Sequence, residues 1–429
     1  MTQASLTASL ARRLPFYYGW IVLAAVCCAG IARTGPAVAT LSLFVGPMTQ
    51  EFGWSRTALS GAVSLGGVLA ALTAPMIGQL LDRSGPRLIL SVAVAATGVT
   101  ILLLSGVESL LGFYLLFCIA RMNFAGPFDL GINGAVANWF LVRRPLAASI
   151  STLAGMVGLT LMPLVAYYAM QHGGWREGWL AIGVTVLAIG FLPVWALLVR
   201  RPEDLGLRPD GAPAEAAASN TASAQATTSA TEEPAYTRRE AMATRAFWML
   251  SLFTVLVYPV QAGMSLHQAA HLTERGLPAA IVVSCVTAFS VTSAFAGLAF
   301  GVVLRRIGVR VGLAFSASLL AVSALIMAQA ASPFAALLAA GLFGAGMGGL
   351  QTGLPVAWAD YFGRRSFGAI RGVALSMQVA AQAAGPLLSG ALRDWSGDYV
   401  TSLLCFATLA GLAILAALLI RAPRVGGQS

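Results

Sequence analysis

The stretch GQLLDRSGPR, residues 78–87, separates two long apolar runs of the sequence. Asp82, Arg83 and Arg87 interrupt the apolar pattern there, together with Gly78 and Gly85. About half the chain later, GVVLRRIGVR at residues 301–310 repeats the spacing of the glycines, a leucine and two arginines. A unit that recurs at half the chain length predicts a fold of two related halves.

Composition places these stretches in a membrane protein. Of 429 residues, 58% are hydrophobic and 10% charged, with a mean hydropathy of +0.80, whereas soluble domains carry about 25% charged residues. A helix crosses a bilayer with about 20 apolar residues, and the apolar runs are continuous, which excludes the alternation of a barrel. We therefore predict an all-α integral membrane protein with twelve transmembrane helices. These are spans 1–12, at about 16–45, 57–80, 88–107, 110–135, 146–170, 178–199, 246–270, 279–304, 312–331, 334–358, 370–392 and 400–420.

The sequence between spans 6 and 7 divides the chain. It contains PDGAPAEAAASNTASAQATTSATEEPAYTRRE, which is rich in Ala, Ser and Thr and poor in large apolar residues. Such a composition cannot bury enough surface to fold, so it predicts a disordered linker. The predicted domains are a six-helix bundle at 1–199, the linker at 200–243 and a second six-helix bundle at 244–429.

The basic residues, all 26 of them Arg, predict the orientation. With a cytoplasmic N-terminus, the cytoplasmic segments hold Arg12, Arg13, Arg83, Arg87, Arg143, Arg144, Arg200, Arg201, Arg208, Arg238, Arg239, Arg245, Arg305, Arg306, Arg310, Arg364, Arg365, Arg371, Arg421 and Arg424. The opposite side holds only Arg56, Arg176, Arg275 and Arg393, and two more lie within spans. Since cytoplasmic loops are enriched in basic residues, both termini are expected in the cytoplasm, at the inner (plasma) membrane. The net charge of +10 is thus explained by the arginines of the cytoplasmic segments. Because these arginines are spread over several segments, they do not predict a nucleic-acid-binding patch.

The two repeated stretches lie at the predicted cytoplasmic turns between spans 2 and 3 and between spans 8 and 9. Their glycines permit a tight turn and close helix approach. Asp82 can pair with an Arg, or it can cap the start of a neighbouring helix. Such contacts would join the halves in one state and break in the other. The predicted cytoplasmic gate consists of Gly78, Asp82, Arg83, Gly85, Arg87, Arg305, Arg306 and Arg310.

On these motifs the sequence resembles the major facilitator superfamily. GQLLDRSGPR matches its loop motif Gly-x-Leu-x-Asp-Arg-x-Gly-x-Arg at every fixed position, whereas the second copy has Arg305 in place of the acid. CIARMNFAG in span 4 is similar to the superfamily's arginine motif, with Arg121 as its Arg. The resemblance covers essentially the whole chain. It implies a secondary transporter that works by alternating access between two halves.

A narrower resemblance is to the monocarboxylate-porter and oxalate/formate-antiporter branch. It rests on YYGW opening span 1, NWFLVRRPLAASI before span 5, GWREGW before span 6, and DYFGRRSFGAIRG and GPLLSGALRDWSGDY around span 11. Proton-coupled members of that branch tend to carry an Asp and an Arg in span 8 and a Lys after a Pro in span 1. The equivalent residues here are Ser293, Gly297 and Ala37. The resemblance implies transport of a small organic anion.

Charged residues within the spans are the first candidates for the site, because a charge at mid-membrane costs on the order of 2.5–3.5 kcal/mol. Arg33 lies in GIARTGPAV, where Gly35 and Pro36 loosen the helix, and its guanidinium suits a carboxylate. Arg121 is either a second substrate contact or a structural Arg. Asp129 is either the counter-ion of an Arg or a proton carrier.

Polar residues on otherwise apolar spans complete the predicted site. They are Tyr258, Gln261 and Ser265 in span 7, Gln351 in span 10, and Gln378 and Gln382 in span 11. Gln268 and Ser389 continue the polar stripes of spans 7 and 11 beyond these predicted contacts. Their side chains either hydrogen-bond the substrate or bond between helices. His267, four residues before His271, is a second candidate for proton coupling. The pair has no third ligand, so no metal site is predicted.

The predicted function is a secondary active transporter that moves a small carboxylate across the inner membrane, coupled to protons or to anion exchange. Because motifs for enzymes and nucleotide binding are absent, no cofactor and no enzymatic activity are predicted. The expected partners are the substrate, protons and lipid, and the expected state is a monomer. One alternative is an exporter of neutral or cationic drugs, with an acid as its key group. Another is a non-transporting membrane sensor, which would need a folded signalling domain.

Overall fold

A computed structural model of the protein describes residues 13–211 and 234–423, together with Thr7, Leu10 and Ala11. This part is helical, without a β-strand, and nine of its helical segments are long and apolar enough to cross a membrane. Two of these segments are double, since Arg144–Leu197 is broken at Gly173 and Gly174, and Ala280–Ala328 at Gly308. The 30-residue helix Phe367–Ser396 has the length of a span but is more polar. Counted this way, the described residues contain the twelve predicted spans.

The spans follow one another as two sets of six. The first set comprises Gly19–Arg33 with Val38–Phe52 (span 1), Arg56–Ser84 (2), Pro86–Leu104 (3), Leu110–Ala125 with Pro127–Trp139 (4), and Arg144–Val186 continuing through Leu187–Phe191 into Leu192–Leu197 (5 and 6). The second comprises Arg245–Glu274 (7), Ala279–Ala328 (8 and 9), Pro333–Phe362 (10), Phe367–Ser396 (11) and Val400–Leu419 (12). A short helix, Arg238–Ala243, precedes span 7.

Spans 1 and 4 are each interrupted where the sequence carries a Gly–Pro pair. The first helix of span 1 ends at Arg33 and the next begins at Val38. In span 4 the break lies at Gly126, and Pro127 opens the following helix. Proline has no backbone N–H to continue a helical ladder, which favours a break at both positions, although Pro47 and Pro386, which also follow a glycine, lie inside continuous helices. The predicted loosening beside Arg33 is confirmed, and it places a helix end next to a charged side chain.

The internal repeat is visible in the backbone. Gly85, between spans 2 and 3, has φ 81° and ψ 165°, and Gly308, between spans 8 and 9, has φ 76° and ψ 157°. Positive φ is readily available only to glycine, so the matched glycines make the same turn in each half. We call the end of the bundle that carries these two turns the Arg-rich end.

The halves are joined closely at the Arg-rich end. A Cβ placed on Gly78 of span 2 would lie 2.0 Å from the carbonyl oxygen of Gly368 in span 11, so only glycine permits this approach. The Asp82 carboxylate accepts hydrogen bonds from the backbone N–H groups of Gly368 at 2.8 Å and Ala369 at 2.7 Å. Of the two roles predicted for Asp82, the structure therefore shows the helix cap.

Two arginines reinforce this junction. Arg144 of span 5 is 3% exposed and lies 2.5 Å from Asp360 of span 10. Arg364 pairs with Glu203 at 2.6 Å and donates to the Asn138 carbonyl at 3.2 Å. In the described part, the polar contacts between halves lie at this end or near mid-depth, where Ser376 donates to the Ala71 carbonyl at 2.5 Å. Polar contacts thus close the space between the halves at the Arg-rich end.

Ordered structure extends into both ends of the predicted linker, 200–243. Pro202–Leu205 forms a 3-10 turn, and the Asp210 carboxylate accepts from the backbone N–H groups of Leu141, Val142 and Arg143. At the other end, Thr237 caps the helix Arg238–Ala243. Residues 212–233, which hold most of the low-complexity sequence, lie outside the described residues, so their disorder stays a prediction.

Candidate functional site

A cavity of about 310 Å³ lies between the two halves. Its lining includes four charged residues and several of the predicted polar ones. The polar and charged lining residues are Arg33, Thr34, Arg121, Asp129, Asn133, Ser151 and Thr152 from the first half, and Tyr258, Gln261, Gln351, Arg371, Gln378 and Gln382 from the second. Seven of the eight predicted substrate contacts are in this set, and only Ser265 is not.

Arg33 is held at the break in span 1. Its Nε donates to the Phe124 carbonyl at 2.8 Å, and its Nη1 lies 3.7 Å from Asp129 Oδ1. The guanidinium also lies over the Phe124 ring, 4.7 Å from the centroid. The side chain remains 27% exposed, and because Arg33 lines the cavity, it can also contact a ligand there.

Arg121 lies over the same aromatic ring, with its guanidinium 4.3 Å from the Phe124 centroid. No acidic side chain pairs with Arg121 among the described residues. Its Nε is buried and lacks a hydrogen-bond partner in the same part of the chain. The ring face attracts both cations and helps to hold two like charges side by side. Arg121 thus presents unused donors to the cavity.

Asp129 lies in the first turn of the second helix of span 4. Its two carboxylate oxygens face two arginines, Arg33 and, 3.3 Å from Oδ2, Arg371. Of the two roles considered for Asp129, the structure shows contacts of a counter-ion, with Arg33 and with Arg371, and the role of proton carrier stays a prediction. The helix N-terminus favours a carboxylate at this position.

The assignment of Arg371 to a cytoplasmic segment was wrong. This arginine lies inside span 11, is 1% exposed, and donates through Nη2 to Gln378 Oε1 at 2.7 Å. A signal was present in the sequence, because the span 11 stripe, extended back by two helical turns from Gln378, reaches Arg371. Arg144 was placed in the loops by the same reasoning, and it too is buried. An arginine near a predicted helix start can point into the bundle when an acceptor from another span meets it there.

The remaining polar residues of spans 7 and 11 form a ladder across the second half. Gln382 Nε2 donates to Gln261 Oε1 at 3.0 Å, and Gln261 Nε2 lies 3.5 Å from Ser265 Oγ. Tyr258 is 7% exposed and lines the cavity. The ladder thus supplies neutral donors and acceptors beside the charged groups. Farther along the two spans, Gln268 is buried outside the cavity, and Ser389 bonds to Ser402 at 3.1 Å.

The histidines do not enter the cavity. His271 Nε2 lies 2.9 Å from the Met327 carbonyl, which links span 7 to span 9. His267 stacks on Tyr399, with ring centroids 5.1 Å apart. The described residues contain no group of three His, Cys, Asp or Glu side chains that could hold a metal ion. Among the described residues that line the cavity, Asp129 is the one with an acidic side chain.

The gate residues of the second repeat differ from those of the first. Arg305 and Arg306 are exposed and make no polar contact that the structure describes. Arg310 donates to the Leu418 carbonyl within its own half. Because Arg305 replaces the acid of the first copy, this turn has no carboxylate to cap a helix of the other half. The two arginine–acid pairs at the Arg-rich end, Arg144–Asp360 and Arg364–Glu203, were not predicted.

Comparisons with known proteins agree with this architecture. A sequence model described as Major Facilitator Superfamily matches residues 22–286, more than half of the chain. The proton:xylose symporter XylE has a similar structure, with a TM-score of 0.73 and 13% sequence identity over 93% of this chain and 94% of that one. At this identity the likeness concerns the fold alone.

Curated relatives match over shorter stretches. The membrane sensor protein UhpC of Salmonella typhimurium is 30% identical over 196 residues, 44% of this chain and 42% of that protein. Monocarboxylate transporter 6 of Mus musculus is 27% identical over 149 residues, 34% of this chain and 31% of that protein. The chain thus matches less than half the length of each.

Proposed function

This chain belongs to the Major Facilitator Superfamily, and on that premise we propose that it is a secondary transporter of a small organic anion. The observation that carries the proposal is the charge of the cavity. Three arginines, Arg33, Arg121 and Arg371, face one acid, Asp129, in the lining. Because unpaired charge at this depth is costly, an anionic substrate would offset the excess. Guanidinium groups bind carboxylates in a two-pronged geometry, which favours a carboxylate.

Alternating access would move the substrate between the two sides. The substrate would enter from the side opposite the Arg-rich end, and the contacts at Asp82, Arg144 and Arg364 would then open. We take the Arg-rich end as cytoplasmic, with both termini there, because basic residues concentrate on that side. The proposed location is the inner (plasma) membrane, and the protein would act as a monomer.

The energy source is proposed to be a proton gradient or exchange with another anion. Asp129 is the proposed proton carrier, since it is the acid that lines the cavity. The similarity to monocarboxylate transporter 6 supports, over a third of the chain, the branch that the sequence motifs resemble. The alternative of a drug exporter requires an acid as the key group, and an excess of arginines opposes it.

The test is counter-flow in proteoliposomes with a panel of labelled mono- and dicarboxylates. We expect wild-type protein to exchange at least one of them. Arg33→Gln should abolish that exchange because the mid-membrane cation is lost. Arg239→Gln, at an exposed position on the short helix before span 7, is the matched control and should exchange normally. Unchanged exchange by Arg33→Gln would remove Arg33 from the site.

A second candidate function is a membrane sensor, which the similarity to UhpC favours. A sensor would bind the anion without moving it. The same panel distinguishes the two, since a sensor would be stabilised by a carboxylate in detergent but show no counter-flow. The residues available for a signalling domain between the halves, 200–243, are few and low in apolar content.

A further inference from the structure

Asp129 bridges the two halves with loose contacts. Its carboxylate lies 3.7 Å from an Arg33 nitrogen in the first half and 3.3 Å from an Arg371 nitrogen in the second. Charge-assisted N–H···O hydrogen bonds are normally about 2.7–2.9 Å long. Asp129 thus balances two cations at distances that leave both guanidinium groups open to a closer acceptor.

Arg371 has donors to spare. Its side chain is 1% exposed, and its Nη2 is shared between Gln378 and Asp129. Within the described part of the chain, Nε and Nη1 have no acceptor, although both atoms are buried. A buried donor without a partner carries a desolvation cost, and nearly all such groups in folded proteins are satisfied. Since Arg371 lines the cavity, a ligand that takes the place of the Asp129 carboxylate can supply an acceptor to this guanidinium.

The span 11 contacts keep this guanidinium in place without neutralising it. Gln378 accepts from Arg371 at 2.7 Å, and its amide carries no charge. In the described residues, the carboxylate that pairs with Arg371 is that of Asp129, which also pairs with Arg33. Removal of Asp129 from the bridge would leave two facing guanidinium groups, one from each half, as a ready site for a free carboxylate.

We propose that Arg371 is the substrate contact of the second half and that Asp129 is a tethered competitor for it. While the cavity is empty, the Asp129 carboxylate holds Arg33 and Arg371 together across the halves. The incoming anion displaces the Asp129 carboxylate and accepts hydrogen bonds from Arg371. The bridge between the halves is then formed by the anion and no longer by Asp129. The inference rests on the proposed function in that it takes the cavity as the substrate site.

The proposal is tested by chemical rescue, which needs no knowledge of the natural substrate. In Asp129→Ala the tethered carboxylate is gone, and a free acetate ion should occupy its place. Thermal unfolding of the purified protein in detergent is measured with sodium acetate, with acetamide, and with sodium chloride at equal ionic strength. We expect acetate alone to raise the melting temperature of Asp129→Ala, by about 2–4 °C. Wild type should respond less, because its own carboxylate has a high effective concentration at the site.

Two further variants identify the contact. Asp129→Ala combined with Arg371→Gln should lose the acetate response, and a retained response would overturn the role of Arg371. Asp394→Ala is the matched control, since the Asp394 side chain is 80% exposed, and it should show no acetate-specific shift. If Asp129→Ala cannot be purified, Asp129→Ser, which also removes the carboxylate and leaves room for acetate, is compared in the same three solutions and should show the same acetate-specific rise.

Failure of this inference is distinguishable from failure of the proposed function. Equal effects of acetate and acetamide on the Asp129 variants would overturn the competitor role, even if counter-flow of a carboxylate succeeds. Conversely, an acetate response that requires Arg371 upholds the inference as an anion site, even if no carboxylate of the panel is transported.

Discussion

Asp82→Asn should weaken the closure of the Arg-rich end. The carboxylate of Asp82 accepts one backbone N–H on each oxygen, from Gly368 at 2.8 Å and Ala369 at 2.7 Å. A hydrogen bond to a charged group contributes about 1.5–3 kcal/mol and a neutral one about 0.5–1.5 kcal/mol. The amide keeps one acceptor and turns a donor toward the other N–H, so the closed state should lose about 2–4 kcal/mol. This corresponds to a shift of about 30-fold or more in the balance between closed and open forms.

The shift can be measured as a distance between the halves. Spin labels are attached at Val142 and Arg306, which are exposed at the Arg-rich end, in a protein whose five cysteines have been replaced. Double electron–electron resonance should show one short distance in the parent and an added longer distance in Asp82→Asn. Asp394→Asn, exposed and away from the junction, should match the parent. Identical distance distributions for Asp82→Asn and the parent would refute the reasoning.

Three other predictions concern the junction and the cavity. Gly78→Ala would bring a Cβ within 2.0 Å of the Gly368 carbonyl oxygen, so the same spin-label pair should report a more open Arg-rich end, and an unchanged distance would count against this contact. Arg144→Gln leaves Asp360 without its cation and should cost about 1–3 kcal/mol of stability, measured by thermal unfolding. A second substitution, Asp360→Asn, should restore part of that loss, and strictly additive losses would contradict the pairing. Gln382→Leu breaks the ladder to span 7 and should raise KM for counter-flow of the transported carboxylate about three- to tenfold, whereas an unchanged KM would exclude a role in binding.

Local sequence was sufficient to predict the elements and much of the cavity. The Gly–Pro pair after Arg33 predicted the break in span 1, because a residue without an N–H removes a bond from the helical ladder, although Pro47 and Pro386 lie inside continuous helices. Helical spacing predicted one polar stripe on span 7, which contains Gln261, and another on span 11, which contains Gln378 and Gln382, and these three residues do line the cavity. Arg371, at the very start of predicted span 11, was counted with the cytoplasmic arginines, because helical periodicity does not say whether a residue at a helix start points to water or into the bundle.

The ion pairs that the sequence did not predict join residues that lie far apart along the chain. Asp129 and Arg371 are 242 positions apart in the chain, and Arg144 and Asp360 are 216 apart. The sequence around either residue does not indicate which residue it pairs with. An arginine near a helix start looks the same in sequence whether it points to water or into the bundle.

By itself, the sequence determined a helical membrane protein of two related halves with a glycine turn in each, because hydropathy, helical period and backbone freedom are properties of short segments. Only the tertiary structure decided which charges meet. The packing of spans 4 and 11 brings Asp129 to Arg371, and the packing of spans 5 and 10 brings Arg144 to Asp360. Electrostatic partnership depends on distance in space and not along the chain, so the charge pattern of the cavity emerges only when the halves are assembled.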